Sequence, residues 1–167
     1  MVFKNDKIQG IIIKRLSRFL DERGWLSEFF RSDELPSEYV PAMGYISVTK
    51  PGVVRGPHEH VQQADLFCFM GPGDFKITLW DNRPASSTYC NRMELFLGAN
   101  NPGAIIVPYG VVHGYRCISI EPGWVINCPN QLYCGSGKTF PVDEIRHEAD
   151  PDNIFVLDEK VRRAVLS

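Results

Sequence analysis

Two histidines alternate in Val53-Val54-Arg55-Gly56-Pro57-His58-Glu59-His60, and a third follows a Pro-x-Gly turn in Pro108-Tyr109-Gly110-Val111-Val112-His113-Gly114-Tyr115. Side chains on a strand return to the same face every second residue, so His58 and His60 share a cavity if the first segment is β. His113 can join them from a second strand. Neutral imidazoles with a carboxylate suit Fe(II), Mn(II), Zn(II) or Ni(II), and stiff strands would fix the geometry. The competing reading of a strand histidine is a packed, hydrogen-bonded side chain. It weighs most on His60, while His147, between Arg146 and Glu148, reads as solvated surface.

These residues must be held by strands. Short apolar or alternating runs punctuated by Gly, Pro and Asn predict an all-β sandwich or barrel. The expected strands are Gly10 to Arg15, Trp25 to Arg31, Met43 to Thr49, Val53 to His60, Leu66 to Met70, Phe75 to Asp81, Met93 to Leu97, Ala104 to Val107, Val111 to Ile118 and Trp124 to Asn127. Phe75, Ile77 and Leu79 alternate with Asp74, Lys76 and Thr78, one dry face and one wet. Leu66 to Met70 is apolar on both faces and belongs between layers. Phe67, Phe69, Phe75 and Phe96 read as core. Helix is scarce: one turn at Ser32 to Pro36 and a short C-terminal helix over Asp158 to Leu166, acids first and arginines later. The polar stretch from Gly135 to Asp152 is expected to cover an opening of the barrel or to pack on a second subunit.

A chain of 167 residues, 44% of them hydrophobic, supports one domain spanning 1–167. A net charge of −2 with scattered Lys and Arg argues against nucleic acid and anionic membrane, which leaves a small-molecule partner. Cys68, Cys90, Cys117, Cys128 and Cys134 are odd in number, and Cys68 and Cys117 sit in apolar runs, as expected of reduced thiols in a cytoplasmic protein. The N-terminus has too short an apolar run for a signal peptide. The longest uncharged stretch, Leu95 to Tyr115, is broken by Asn, Pro and Gly, so no transmembrane helix is expected.

The pattern Gly52-x5-His58-x-His60-x4-Asp65-x5-Gly71, followed by Gly103-x4-Pro108-x-Gly110-x2-His113, resembles the two motifs of the cupin superfamily. That resemblance implies a double-stranded β-helix, or jelly-roll barrel, with the histidines and the acid converging inside it. Asp21-Glu22-Arg23-Gly24-Trp25-Leu26-Ser27-Glu28-Phe29-Phe30, Val54-Arg55-Gly56-Pro57-His58, Asp81-Asn82-Arg83 with Ser87-Thr88-Tyr89, and Pro108 to Tyr115 together resemble the dTDP-4-dehydrorhamnose 3,5-epimerase family, over about Ile11 to Tyr133. The family resemblance implies a cupin-like homodimer that needs no metal and acts on a dTDP-linked 4-keto-6-deoxy sugar. It implies that His58 is the base removing a proton next to the C4 ketone, that Arg23 and Arg55 contact the diphosphate, and that Glu28 and His113 occupy pocket positions. On a regular strand Arg55 is out of phase with His58. Either Gly56-Pro57 bends the chain or Arg55 serves a neighbouring subunit.

The chain also departs from the family. Ala64, Asp65 and Leu66 stand where the family has its active-site lysine. Asn127 aligns with the tyrosine acid, which implies a place in the substrate-binding set beside Arg23, Glu28 and Arg55, but it cannot donate a proton as a phenol does. Val161 stands where an aspartate orients the base, with Asp158 as a substitute after a shift. A divalent cation held by His58, His60, Asp65 and His113 could replace the lysine by polarising the ketone. Three classes therefore stand open: a nucleotide-sugar epimerase or isomerase, a metal-dependent cupin of other chemistry, and a non-catalytic nucleotide-sugar binder.

Overall fold

The computed structural model describes residues 2–157, so the expected C-terminal helix and the positions Asp158 and Val161 lie outside the described residues. The strands are β1 (Lys4–Asn5), β2 (Ile12–Arg15), β3 (Phe19–Asp21), β4 (Gly24–Leu26), β5 (Tyr45–Thr49), β6 (Val54–Glu59), β7 (Asp65–Phe69), β8 (Asp74–Asp81), β9 (Asn91–Gly98), β10 (Gly103–Val107), β11 (Val111–Cys117), β12 (Gly123–Asn127) and β13 (Ile145–Arg146). Two 3-10 turns, Ser136–Lys138 and His147–Ala149, interrupt the later part. Each expected strand has a counterpart, but the one expected over Trp25 to Arg31 ends at Leu26. Beyond it Phe29 and Phe30 pack as single side chains on an apolar cluster, without a ladder partner. β1 and β13 are too short to leave a periodic signal.

One sheet runs β1-β9-β8-β11-β6-β13 and the other β2-β10-β7-β12-β5, with the β3-β4 hairpin separate. The ladders are antiparallel except β1 with β9. This is the cupin-like, nearly all-β architecture expected from the motifs.

The two sheets face each other across Phe67, Phe69, Phe75, Ile77, Leu79, Ile105 and Val125. Because β7 is buried on both faces, its alternate residues Leu66 and Cys68 pack outward under Leu16, Tyr39 and Cys128. The expectation that this run lies between layers holds for that reason. Phe96 does not join the core. It is 55% exposed on β9, opposite Lys76 on the wet face of β8.

Toward the Asp65 end the interior changes character. Asp65, Asn127 and His113 replace phenylalanine and valine on inward positions of β7, β12 and β11 while remaining buried. The segment around residues 131–148 crosses this end. β13 adds to the edge of β6, with Ile145 opposite Glu59 and Arg146 opposite His58. The Asp143 carboxylate accepts N–H bonds from Val61 (2.9 Å), Gln62 (2.9 Å) and Gln63 (2.7 Å). Of the two roles expected for the polar stretch, the structure shows it covering the opening.

Candidate active site

His58 and His113 are direct partners in the β6–β11 ladder, and opposed side chains of an antiparallel pair share a face. Their ring centroids are 4.5 Å apart, and His60 lies 5.7 Å from His58 and 5.8 Å from His113. One nitrogen from each ring falls within 4.8 Å of the others. Asp65 reaches the group from the opposite sheet, its Oδ2 3.1 Å from His60 Nε2 and 3.5 Å from His113 Nε2. Its Oδ1 accepts hydrogen bonds from Gln63 Nε2 (3.0 Å) and Asn127 Nδ2 (2.8 Å). The structure thus brings His58, His60, Asp65 and His113 together.

The environment gives the three rings different charges. Burial, reinforced by His113 and His60, pushes His58 down to about 2, so this ring is neutral. Burial also lowers His113, whose Nδ1 donates to the Val111 carbonyl at 3.0 Å and whose Nε2 is therefore the lone-pair nitrogen. For His60 burial opposes the charge, but the Asp65 carboxylate and the Asp143 carbonyl outweigh it and raise the ring to about 8. His60 and Asp65 form a buried ion pair. Asp65 in turn is held below the usual carboxylate range, since His60, His113 and Asn127 overcome its desolvation.

The phase conflict at Arg55 is resolved by a bulge. His113 pairs with His58 but Tyr115 pairs with Arg55, so two steps on β11 answer three on β6. Gly56 supplies the bend at φ +81, and a Cβ there would stand 2.6 Å from the His113 carbonyl oxygen. Arg55 and His58 consequently line the same cavity. Arg55 is fixed by Nε donating to Thr49 Oγ1 and Nη2 to the Val48 carbonyl, both 2.9 Å, which ties β6 to β5.

The cavity measures about 1520 Å³ and is open to solvent. Ligand pockets commonly span about 300–1,000 Å³, so there is room for a ligand in two parts. His58, His60, Asp65, Arg55, Tyr45 and Tyr115 stand on its wall, with Lys138, Glu144 and Arg146 on the covering segment. Asn127 sits behind the wall, 1% exposed, its amide donating to Asp65 and to the Tyr45 hydroxyl. Arg23 and Glu28 are not brought to the cavity within one chain. Arg23 is exposed at the β3–β4 turn and paired with Asp21, and Glu28 lies 3.7 Å from Arg31.

His147 departs from its expected solvated position. Its Nε2 lies 2.9 Å from Glu59 Oε1 and its ring packs 4.6 Å from Phe155, because the chain after β13 folds back onto β6. Two residues escaped the sequence reading. Glu144 Oε1 is 3.8 Å from His58 Nδ1, a carboxylate beside the ring on its covered side. Tyr45 carries a phenol into the cavity from β5. Glu144 left no signal in a polar stretch, whereas Tyr45 could have been found by pairing the strands that precede and follow the histidines.

A model of the dTDP-4-dehydrorhamnose 3,5-epimerase family matches residues 5–139. The chain is 36% identical to a probable low-salt glycan biosynthesis epimerase of Haloferax volcanii, over 75% of this chain and 81% of that protein. It is 34% identical to a spore coat polysaccharide biosynthesis protein of Bacillus subtilis, over 75% of this chain and 82% of that one. Among solved structures, the dTDP-6-deoxy-D-glucose-3,5-epimerase of Legionella pneumophila in complex with dTDP-4-keto-L-rhamnose superposes with a TM-score of 0.73 at 22% identity, covering 85% of this chain and 74% of that one.

Proposed function

Since the chain belongs to the dTDP-4-dehydrorhamnose 3,5-epimerase family, we propose that it epimerises a dTDP-linked 4-keto-6-deoxy sugar at carbon next to the ketone, with His58 as the base. It is an enzyme acting on carbohydrate. Epimerases of this type act without a cofactor.

The observation that carries the reading is that a neutral, half-buried His58 and a fixed Arg55 face one cavity. A neutral imidazole accepts a proton, and the carbon acid next to a ketone supplies one, leaving an enolate. Arg55 offers its remaining guanidinium N–H groups to a diphosphate. The His60 imidazolium adds positive charge beside an enolate oxygen in place of the family lysine, and His113 holds Asp65 and His58 in place from behind. Glu144 stabilises the imidazolium that forms on His58. Asn127 serves the substrate indirectly, through the groups it bonds.

Arg23 enters the reading through a homodimer. The β3–β4 hairpin exposes Phe19, Leu20, Trp25 and Leu26 around it, an apolar surface suited to a second copy of the chain, which would carry Arg23 toward the partner's diphosphate with Glu28 nearby. We further read residues 1–167 as one domain working in the reducing cytoplasm, in keeping with five unpaired cysteines. Among the described residues no helix is long and apolar enough to cross a membrane.

The test is transfer of solvent deuterium into dTDP-4-keto-6-deoxyglucose, followed by NMR. Wild-type protein should incorporate deuterium beside the ketone, and His58→Ala should not; incorporation that survives the substitution removes His58 from the mechanism.

A second reading is favoured by one observation: His113 Nε2 is buried without a hydrogen-bond partner, 3.5 Å from Asp65 Oδ2, whose other neighbour is His60 Nε2 at 3.1 Å. Two electron-pair donors facing each other with His58 and His60 alongside fit a divalent cation. His58, His60, His113 and Asp65 would hold it, and it would supply Lewis-acid polarisation of a carbonyl. Elemental analysis of untagged protein beside His60→Ala decides between the readings, with stoichiometric metal lost in the variant favouring the second.

A further inference from the structure

Epimerisation needs a proton to leave one face of a carbon and another to arrive on the opposite face. The position matched to the family's acid is Asn127, which has no acidic proton and does not line the cavity. Directly across the β12–β5 ladder from Asn127 stands Tyr45. The Asn127 amide donates to the Tyr45 hydroxyl oxygen at 2.8 Å and to Asp65 Oδ1 at 2.8 Å. Both amide hydrogens are thereby committed, and the phenol oxygen acts as an acceptor toward the wall. Its own O–H is left to point into the cavity.

From this geometry we infer that Tyr45 is the proton donor of the reaction, standing one strand over from the position matched to the family tyrosine and held there by Asn127. His58 projects from β6 in the six-stranded sheet and Tyr45 from β5 in the five-stranded sheet, so the two groups belong to opposite walls. A sugar ring lying between the sheets meets the imidazole on one face and the phenol on the other. The two buried tyrosines, unlike the accessible Tyr45, are committed elsewhere: Tyr115 OH lies 3.1 Å from Ser47 Oγ, and Tyr39 OH donates to the Cys128 carbonyl at 2.7 Å. Tyr133 lies on the covering segment rather than on a barrel wall.

The step balances. His58 takes the proton from carbon and becomes an imidazolium while the electron pair moves onto the C4 oxygen as an enolate. Tyr45 then gives its phenolic proton to the same carbon from the other face, the ketone reforms, and water returns a proton to the phenolate as it removes one from His58. Burial pushes the Tyr45 phenol up to about 12, which keeps it protonated in the resting enzyme.

The inference rests on the epimerase reading, and one experiment separates them. Wild type, Tyr45→Phe and Tyr133→Phe are incubated with dTDP-4-keto-6-deoxyglucose in D2O, with exchange and configuration both read by NMR. Tyr45→Phe should lose about 100-fold or more in epimerised product, keep deuterium exchange with retained configuration, and melt as wild type does. Epimerisation by Tyr45→Phe at the wild-type rate, a loss that falls on Tyr133→Phe instead, or loss of exchange together with epimerisation overturns the assignment. A wild type that neither exchanges nor epimerises overturns the epimerase reading itself, and Tyr45 with it.

Discussion

The two halves of the barrel interior are built from the same strands and differ in almost everything else. Around Phe69 and Phe75, whose ring centroids are 5.4 Å apart edge to face, the interior is so full that a Cβ on Gly123 would fall 2.3 Å from the Phe75 ring. A few residues along, β7 starts at Asp65 and β11 passes through His113, and the space between the sheets opens into the cavity. Dense packing at one end allows buried polar groups at the other. Removing charged groups from water costs several kcal/mol, and a well-packed apolar half offsets such a cost.

Substitutions at the two ends should therefore separate activity from stability. His58→Ala should lower turnover by about 10²–10⁴-fold while leaving the melting temperature close to wild type, measured by the deuterium assay and calorimetry. Phe75→Ala should do the reverse at first order. A loss of about 3–5 kcal/mol in denaturant unfolding is expected from the cavity it leaves, with the remaining folded fraction active. Equal effects of both variants on both readouts would dissolve the distinction between the halves.

Glu144→Gln sharpens the comparison inside the polar half. It removes the charge beside His58 while keeping the shape, and should reduce kcat by about tenfold, or about 1.4 kcal/mol, with KM nearly unchanged. A change confined to KM would make Glu144 a substrate contact.

The smallest effect is on the pH dependence of stability. His58 is held at about 2, below its unfolded value of about 6.5, so below that pH the unfolded chain takes up a proton that the folded protein refuses. Stability contributed there is present above pH 6.5 and lost as the pH falls. His60, raised to about 8, has the opposite sign, and its contribution is lost as the pH rises from the unfolded value through 8. Melting temperature should thus peak between these limbs and fall by about 2–4 °C toward pH 5, and His58→Gln should flatten the acid limb alone. An acid limb unchanged in that variant would assign it to the carboxylates.

The packed half was legible in the sequence because period-two alternation over β8 and the apolar run of β7 are local signals. The histidines were legible for the same reason, with His58 and His60 one period apart and His113 after a Pro-x-Gly turn. The face of Arg55 stayed open between a bend at Gly56-Pro57 and a neighbouring subunit, since it depends on a bulge, and a bulge is a property of two paired strands rather than of one. Glu144 and Asp143 were hidden because their partners are 80 or more residues away in the chain. Phe96 misled in the other direction: its alternation on β9 puts it on the outer face, and hydrophobicity alone does not choose a side.

The three backbone bonds to Asp143 also have a consequence for the order of events. They join residues separated by 80 to 82 positions, so they cannot form until the chain past residue 143 has been synthesised and the loop between has been closed. The strands that build the Phe69–Phe75 core are complete by Asn127. A nascent chain can therefore bury its apolar half while the histidines still face open water. The site gains its outer wall only once the chain past residue 143 has closed over the barrel.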